Sequence, residues 1–199
     1  YEQDIIKEKI IDGLSHIEFS PDSFRDKLVA LKPNLLFPSK PDQAIVTHPK
    51  FFEAVVQIVM DYGGRPILIE NPGYHSLEKA TKKVGYDEII KRYGVQVPNV
   101  TDTDVLLNPK PRKFRRWEIS KAFFDVDIIV NLPKFKTHGI TYISGAVKNI
   151  FGAIPGLNKS KWHFKVPAKE DFALLMLELN EAFLYGFEKP KTFLHIMDA

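Results

Sequence analysis

Short apolar runs and amphipathic stretches take turns along this chain, and that alternation limits its fold more than any other feature. "KLVALKPNLL" reads as a strand ended by Pro33 and Asn34. "HPKFFEAVVQIVMDYGG" follows as a strong helix, with Pro49 in its first turn, Thr47 or His48 as its cap and Gly63-Gly64 as its end. "RPILIENPG" is a second strand closed by Asn71, Pro72 and Gly73. Further along, "DVDIIVNL" is the most deeply apolar strand, "PAKEDFALLMLELNEAFLYG" a long helix and "KTFLHIMDA" a last strand. Strands separated by helices pair in parallel, with the helices covering the sheet. The expected class is therefore α/β, a mostly parallel sheet with helices on both faces, Rossmann-like.

Weaker signals fill the gaps. Isoleucines at helical spacing predict a helix over 3–14, and Ser76 and Gly85 bracket another, followed by "YDEIIKRYG". "DVLLN" and "FRRWEIS" read as strands, and "SGAVKNIFG" as a short helix with Ser144 as its cap. The chain is read as a single α/β domain over 1–199, with a flap or insertion around 108–121, where "NPKPRKFRRWE" interrupts the pattern. It opens without Met and stops on a strand just completed. The expectation is a fragment of a longer chain, incomplete at the C-terminus, with part of the site carried by whatever follows Ala199.

Composition excludes several chemistries. The chain has 199 residues, enough to bury a real core, and no cysteine. Disulfides, thiolate metal sites, cysteine-ligated iron–sulfur clusters and cysteine nucleophiles are excluded within these residues. No apolar run approaches the roughly 20 residues needed to span a bilayer, and the charged start "YEQDIIKEKI" is not a signal peptide. The expected setting is cytoplasmic, with no membrane segment. A net charge of +3 is too small to imply nucleic acid by itself.

Open α/β sheets bind ligands at the carboxyl ends of their strands. Those ends carry Lys32 and Asn34, Glu70 and Asn71, Asn131 through His138, and Asp198. Asn, Pro and Gly at strand ends are ordinary turn formers, but lysine is not. From Ile128 to Lys169 there is no acid, while Lys134, Lys136, Lys148, Lys159, Lys161, Lys165 and Lys169 share the window with His138 and His163. Lysine usually ends on a solvated face. Here the lysines are interleaved with Gly139, Gly145 and Gly152, which let backbone approach a ligand. Gly145 also falls at a predicted helix start, where free N–H groups favour an anion. The reading is a site for phosphate, carboxylate or another delocalised anion. Lys134 and Lys136 supply charge, Ser144 and the N–H groups near Gly145 supply hydrogen bonds, and Lys148 reaches back or pairs with a buried acid. His138 is the candidate general acid or base. Lys136 and Lys148, crowded by other cations, are candidates for a lowered pKa and hence for a catalytic base or nucleophile.

General motifs add no named reaction. "GAVKNIFG" has neither P-loop nor G-x-G-x-x-G spacing, and there is no G-x-S-x-G elbow. The six histidines show no zinc spacing, and no metal site is predicted.

The stretch "IIVNLPKFKTHGITYISGAVKNIFGAIPG", followed by "KWH", resembles the family known as domain of unknown function 362. "LVALKPNL", "THPKFFEAVVQIVMDYGGRPILIENPG" and "LHIMDA" fit the same family in order and cover most of the chain. Positions matching the family's polar pattern are Lys32, Asn34, Thr47, Lys134, Lys136, Thr137, His138, Lys148, Asn149, His163 and Asp198. The resemblance implies a ligand site at the strand ends without naming its chemistry. Some members of that family carry a ferredoxin-like module with cysteine-bound iron–sulfur clusters; its cysteines are absent here, so the cofactor stays unknown.

Three functions compete at this point. The first is an enzyme, or enzyme-derived domain, that binds a small anionic ligand and is linked to redox chemistry only by analogy. The second is a docking domain whose basic face meets an acidic protein such as a ferredoxin. The third, a nucleic-acid module built on "KPRKFRRWE", has arginine, lysine and aromatics together but no recognised motif. The oligomeric state is open.

Overall fold

The computed structural model describes residues 1–199 apart from Tyr74, Ile140 and the side chain of Leu157. In chain order, α1 (Gln3–His16) leads to β1 (Leu28–Pro33), α2 (Pro49–Asp61) and β2 (Arg65–Leu68). Next come α3 (Leu77–Val84), α4 (Tyr86–Tyr93) and the strands β3 (Thr103–Leu107), β4 (Arg116–Ser120) and β5 (Ile128–Leu132). The hairpin β6 (Lys136–His138) and β7 (Tyr142–Ser144) precedes α5 (Ala146–Asn149), α6 (Gly156–Lys165), α7 (Lys169–Tyr185) and β8 (Thr192–His195).

The central sheet has the order β2-β1-β5-β8 and is parallel throughout. Its residues obey the period of two expected of strands. Val29, Leu31, Ile128, Val130 and Leu132 face one core, built with α1, α2, α3 and α4. Ala30, Ile67 and Ile129 face the other, built with α7 and the β3–β4 hairpin. Both faces of the sheet are covered, which explains why β5 is buried at every position. The fold is α/β and Rossmann-like.

β1 sits in the middle. Its exit leads through α2, on one face, while the exit of its neighbour β5 leads through α7, on the other. Adjacent strands whose connections part to opposite faces leave a crevice between their carboxyl ends. Here a clamp holds the two exits together. The Thr47 hydroxyl donates to the Leu132 carbonyl (2.6 Å) and accepts from the Asn34 N–H (2.8 Å).

Local structure decides one expectation and overturns another. Of the two cap candidates for α2, His48 takes the role, its Nδ1 accepting from the Lys50 N–H at 3.2 Å. Ser144 does not cap α5: it ends β7, paired with Lys136, and Gly145 is the residue that turns into the helix. The "NPKPRKFRRWE" excursion lies at the β3–β4 hairpin, whose strands pair antiparallel. Its loop is pinned from below by Glu178 of α7. That carboxylate is fully buried and accepts from the backbone N–H groups of Phe114 (2.8 Å), Lys113 (3.2 Å) and Arg112.

Burial alone would raise the Glu178 pKa, but the three N–H donors outweigh it and hold the carboxyl below its ordinary range. A depressed folded-state pKa means stabilisation that is complete above the unfolded-state value and is lost as pH falls through the folded one. Glu178→Ala should cost at least about 3 kcal/mol in urea unfolding at pH 7, since it removes more than one hydrogen bond to a charged group at about 1.5–3 kcal/mol each. Glu178→Gln should lose less, and its deficit relative to the wild type should shrink on acidification below the carboxylate range.

Candidate functional site

The parallel register sets Leu31 beside Leu68, so Lys32, near the end of β1, and Glu70, two residues past the end of β2, come together at the strand exits. They form the floor of the crevice. Lys32 Nζ donates to Glu70 Oε2 at 2.5 Å, with Lys32 fully buried and Glu70 3% exposed. Glu70 Oε1 also accepts from the Asn71 N–H at 2.9 Å. Burial pulls the Lys32 pKa down, and the Glu70 charge and hydrogen bond only partly offset it. Gly152, in the 3-10 turn after α5, lies directly over this pair. A Cβ there would come within 2.5 Å of Glu70 Oε1 and 2.6 Å of Lys32 Nζ, closer than side-chain carbons approach. Glycine here lets the turn lie against the tips of the pair, which any side chain would push aside; no unusual φ is involved.

The walls come from the acid-free segment. In β6 the alternation of a strand sends Lys136 and His138 into the crevice and leaves Thr137 exposed on the other side. Lys136 Nζ donates to Asn34 Oδ1 at 3.3 Å and to the Ile45 carbonyl. The Lys159 ammonium, from α6, is buried and donates to the Asn71 carbonyl. Lys148, from α5, is half-buried and has no hydrogen-bond or ion-pair partner among the described residues. Asn34, Ser144, Asn149 and Phe151 complete the lining.

These cations repel one another in a partly desolvated space. Burial first, and the charge of Lys148 second, push Lys136 down to about 8. Burial likewise takes Lys159 to about 8, with Glu70 opposing and Lys32 and Lys148 adding to the fall. Lys148 is lowered by burial and by Lys32. His138 is lowered by burial and then by Lys148, Lys136 and His163, so it is largely neutral at pH 7. The one carboxylate in the lining, Glu70, is already committed to Lys32.

Most of the remaining candidates are placed elsewhere. Lys134 and Asp198 form their own cluster: Lys134 Nζ lies 3.1 Å from Asp198 Oδ1 and 3.1 Å from the Tyr1 hydroxyl. Asp198 Oδ2 accepts from the His48 N–H at 2.8 Å, and the Tyr1 ring stacks on His48 at 3.6 Å. Burial alone would depress Lys134, but hydrogen bonds to Tyr1 and Asp198 raise its pKa overall. Thr47 is the buried clamp already described. Asn149 does double duty, lining the crevice while its amide donates to the Lys32 carbonyl (3.1 Å) and to Asn131 Oδ1 (2.8 Å). His163 stacks on Phe172 with centroids 4.6 Å apart. Gly145 borders a neighbouring apolar groove. Glu70 and Lys159 were not among the residues singled out for the site. Glu70 was visible as the acid ending the second strand, and Lys159 as a member of the acid-free run.

Residues 29–199 match the family model described as domain of unknown function (DUF362). The chain belongs to this family. The DUF362 chain is 32% identical over 143 residues to a thylakoid-associated protein of Synechocystis sp., an alignment covering 69% of this chain and 42% of that protein. It thus spans less than half the length of the relative. Among the described residues of the DUF362 chain, no helix is long and apolar enough to cross a membrane. Nor do the described residues contain a group of three or more His, Asp or Glu side chains placed to hold a metal ion.

The floor pair gives a sharp expectation. Lys32→Met, which leaves Glu70 buried without its partner, should cost about 3–5 kcal/mol in urea unfolding. Lys32→Met with Glu70→Leu should recover most of that loss, as neither charge remains. Gly152→Ala should cost about 1–3 kcal/mol by forcing the pair apart.

Proposed function

We propose that the crevice binds a small anion, a phosphate or carboxylate group, and that the chain is an enzyme or enzyme-derived domain acting on the molecule that carries it. One observation carries the reading. Lys148 holds a half-buried ammonium with no acid or hydrogen-bond partner among the described residues, in a crevice whose one carboxylate is already paired. A cation so placed is costly unless an anion joins it. In this reading Lys148, Lys136 and Lys159 converge on the ligand, and Ser144 and Asn34 offer hydrogen-bonding groups. His138, neutral at pH 7, is the group suited to take a proton from the bound molecule or return one. Lys136, depressed to about 8, is a second candidate base. The proposed setting is the cytoplasm or, by analogy with the thylakoid-associated relative, a membrane surface facing it.

The test is thermal shift and calorimetry with phosphate, pyrophosphate and oxalate. Binding stabilises the folded state by mass action. Because Lys136 and Lys159 must be protonated to attract an anion, stabilisation should be full near pH 7 and fade as pH rises through about 8. Lys148→Ala should weaken binding at least about tenfold, the loss of one charge-assisted contact, whereas Lys82→Ala, on an exposed helix position, should not. No stabilisation by any of the three anions would end the proposal. A salt-sensitive complex with an acidic protein in that circumstance would replace it with the docking function.

A further inference from the structure

Beside the crevice runs a second depression of different character. It lies between the β6–β7 hairpin, α5 and the outer face of α7, with a volume of about 390 Å³. Its walls include Ile143, Val147, Ala173, Met176 and Leu177, and its few polar members include Thr141 and Lys148. On α7, Ala173, Met176 and Leu177 stand at i, i+3 and i+4, one stripe of a helix. Ile143, Val147 and Leu177 are substantially solvent-exposed, at 56%, 41% and 47%. This is an apolar surface that the described residues leave uncovered.

Lys148 belongs to both depressions. The division between them follows from β7 and α5. Alternation along β7 turns Ile143 toward the groove and Ser144 toward the crevice, and Lys148, two residues into the next turn, spans the rim. Its charge depresses Lys136, Lys159, His138 and His163, so the cationic centre belongs to the crevice cluster. A lysine places an apolar stem and a charged head in different surroundings. Thus a cationic crevice with no free acid opens beside an apolar groove large enough for a small-molecule substituent.

We infer that the ligand is an amphiphilic anion, with its phosphate or carboxylate head among Lys136, Lys148 and Lys159 and its hydrocarbon portion in the groove between β7, α5 and α7. The inference rests on the anion-binding reading above and adds the class of molecule. A free polar metabolite would leave the groove uncovered, and an apolar compound would leave Lys148 unpartnered.

The experiment compares inorganic phosphate, butyl phosphate and octyl phosphate by calorimetry, each kept below its aggregation threshold. A buried methylene is worth about fourfold in affinity, so even partial burial of the chain should make octyl phosphate at least about thirtyfold tighter than inorganic phosphate. Leu177→Asp should collapse that ratio to within about twofold, and its circular dichroism and melting temperature report that the exposed position tolerates the change. Lys148→Ala should weaken all three ligands. If phosphate binds but chain length brings no gain, this inference fails while anion binding stands. If none of these phosphates binds and oxalate and octanoate do not bind either, both fail. Octyl phosphate binding that ignores Lys148→Ala would be apolar adsorption and would overturn the inference. The last arm uses vesicles of phosphatidylcholine with phosphatidic acid. Co-sedimentation that survives Lys148→Ala, with no binding of soluble octyl phosphate, would overturn it in favour of a membrane-docking surface.

Discussion

The buried contact between Lys32 and Glu70 is the constraint on which the rest of the site depends. Two opposite charges at the ends of adjacent parallel strands are stable together and costly apart. Their presence fixes what can lie above them. A residue without a side chain lies over the pair without displacing it, and the turn after α5 descends at Gly152. Asn149 fastens the same segment to the Lys32 carbonyl. Lys148, immediately before Asn149, is thereby held over the strand ends, and its cation stays beside the pair instead of swinging into water.

That arrangement has an electrostatic cost. Lys136, Lys148 and Lys159 occupy one small space, and each is harder to protonate than a lysine in water. A lysine whose folded-state pKa is lowered binds fewer protons than it does unfolded, so the unoccupied protein gives up stability near neutral pH on account of these groups. Evolution could relieve the strain with one well-placed acid. Instead, the segment from Ile128 to Lys169 contains none. Stability conceded at a concave, partly dry site is a recurring mark of binding and catalytic surfaces.

Most of this architecture was legible before any coordinates. The alternation of apolar strands and amphipathic helices dictated a parallel sheet covered on both faces, and the polar residues after each strand marked the edge where the crevice opens. The period of two in "KTH" separates Lys136 and His138 from Thr137 once the segment is known to be a strand. Pairings between distant segments were not legible. Nothing local tells that Lys134 meets Asp198, that Glu70 meets Lys32, or that His163 packs on Phe172, because each contact depends on how the crossovers bring remote segments together. Ser144 misled for a related reason: its suitability as a cap is local, whereas its pairing with Lys136 across the hairpin is what decides its conformation.

The cluster around Asp198 bears on how the chain acquires its structure. Asp198 is 64 positions from Lys134, 150 from His48 and 197 from Tyr1, yet it bonds to all three. During synthesis, the amino-terminal helix can settle on α2 long before the carboxylate that anchors Tyr1, His48 and Lys134 has been made. Contacts of such span close large loops and form late. Lys134 must therefore stay hydrated, at the mouth of an otherwise apolar strand, until the last pairing arrives. A partly made or truncated chain would present that edge open, with β8 missing and β5 unpaired on one side, the condition under which parallel sheets are most prone to associate with the wrong neighbour.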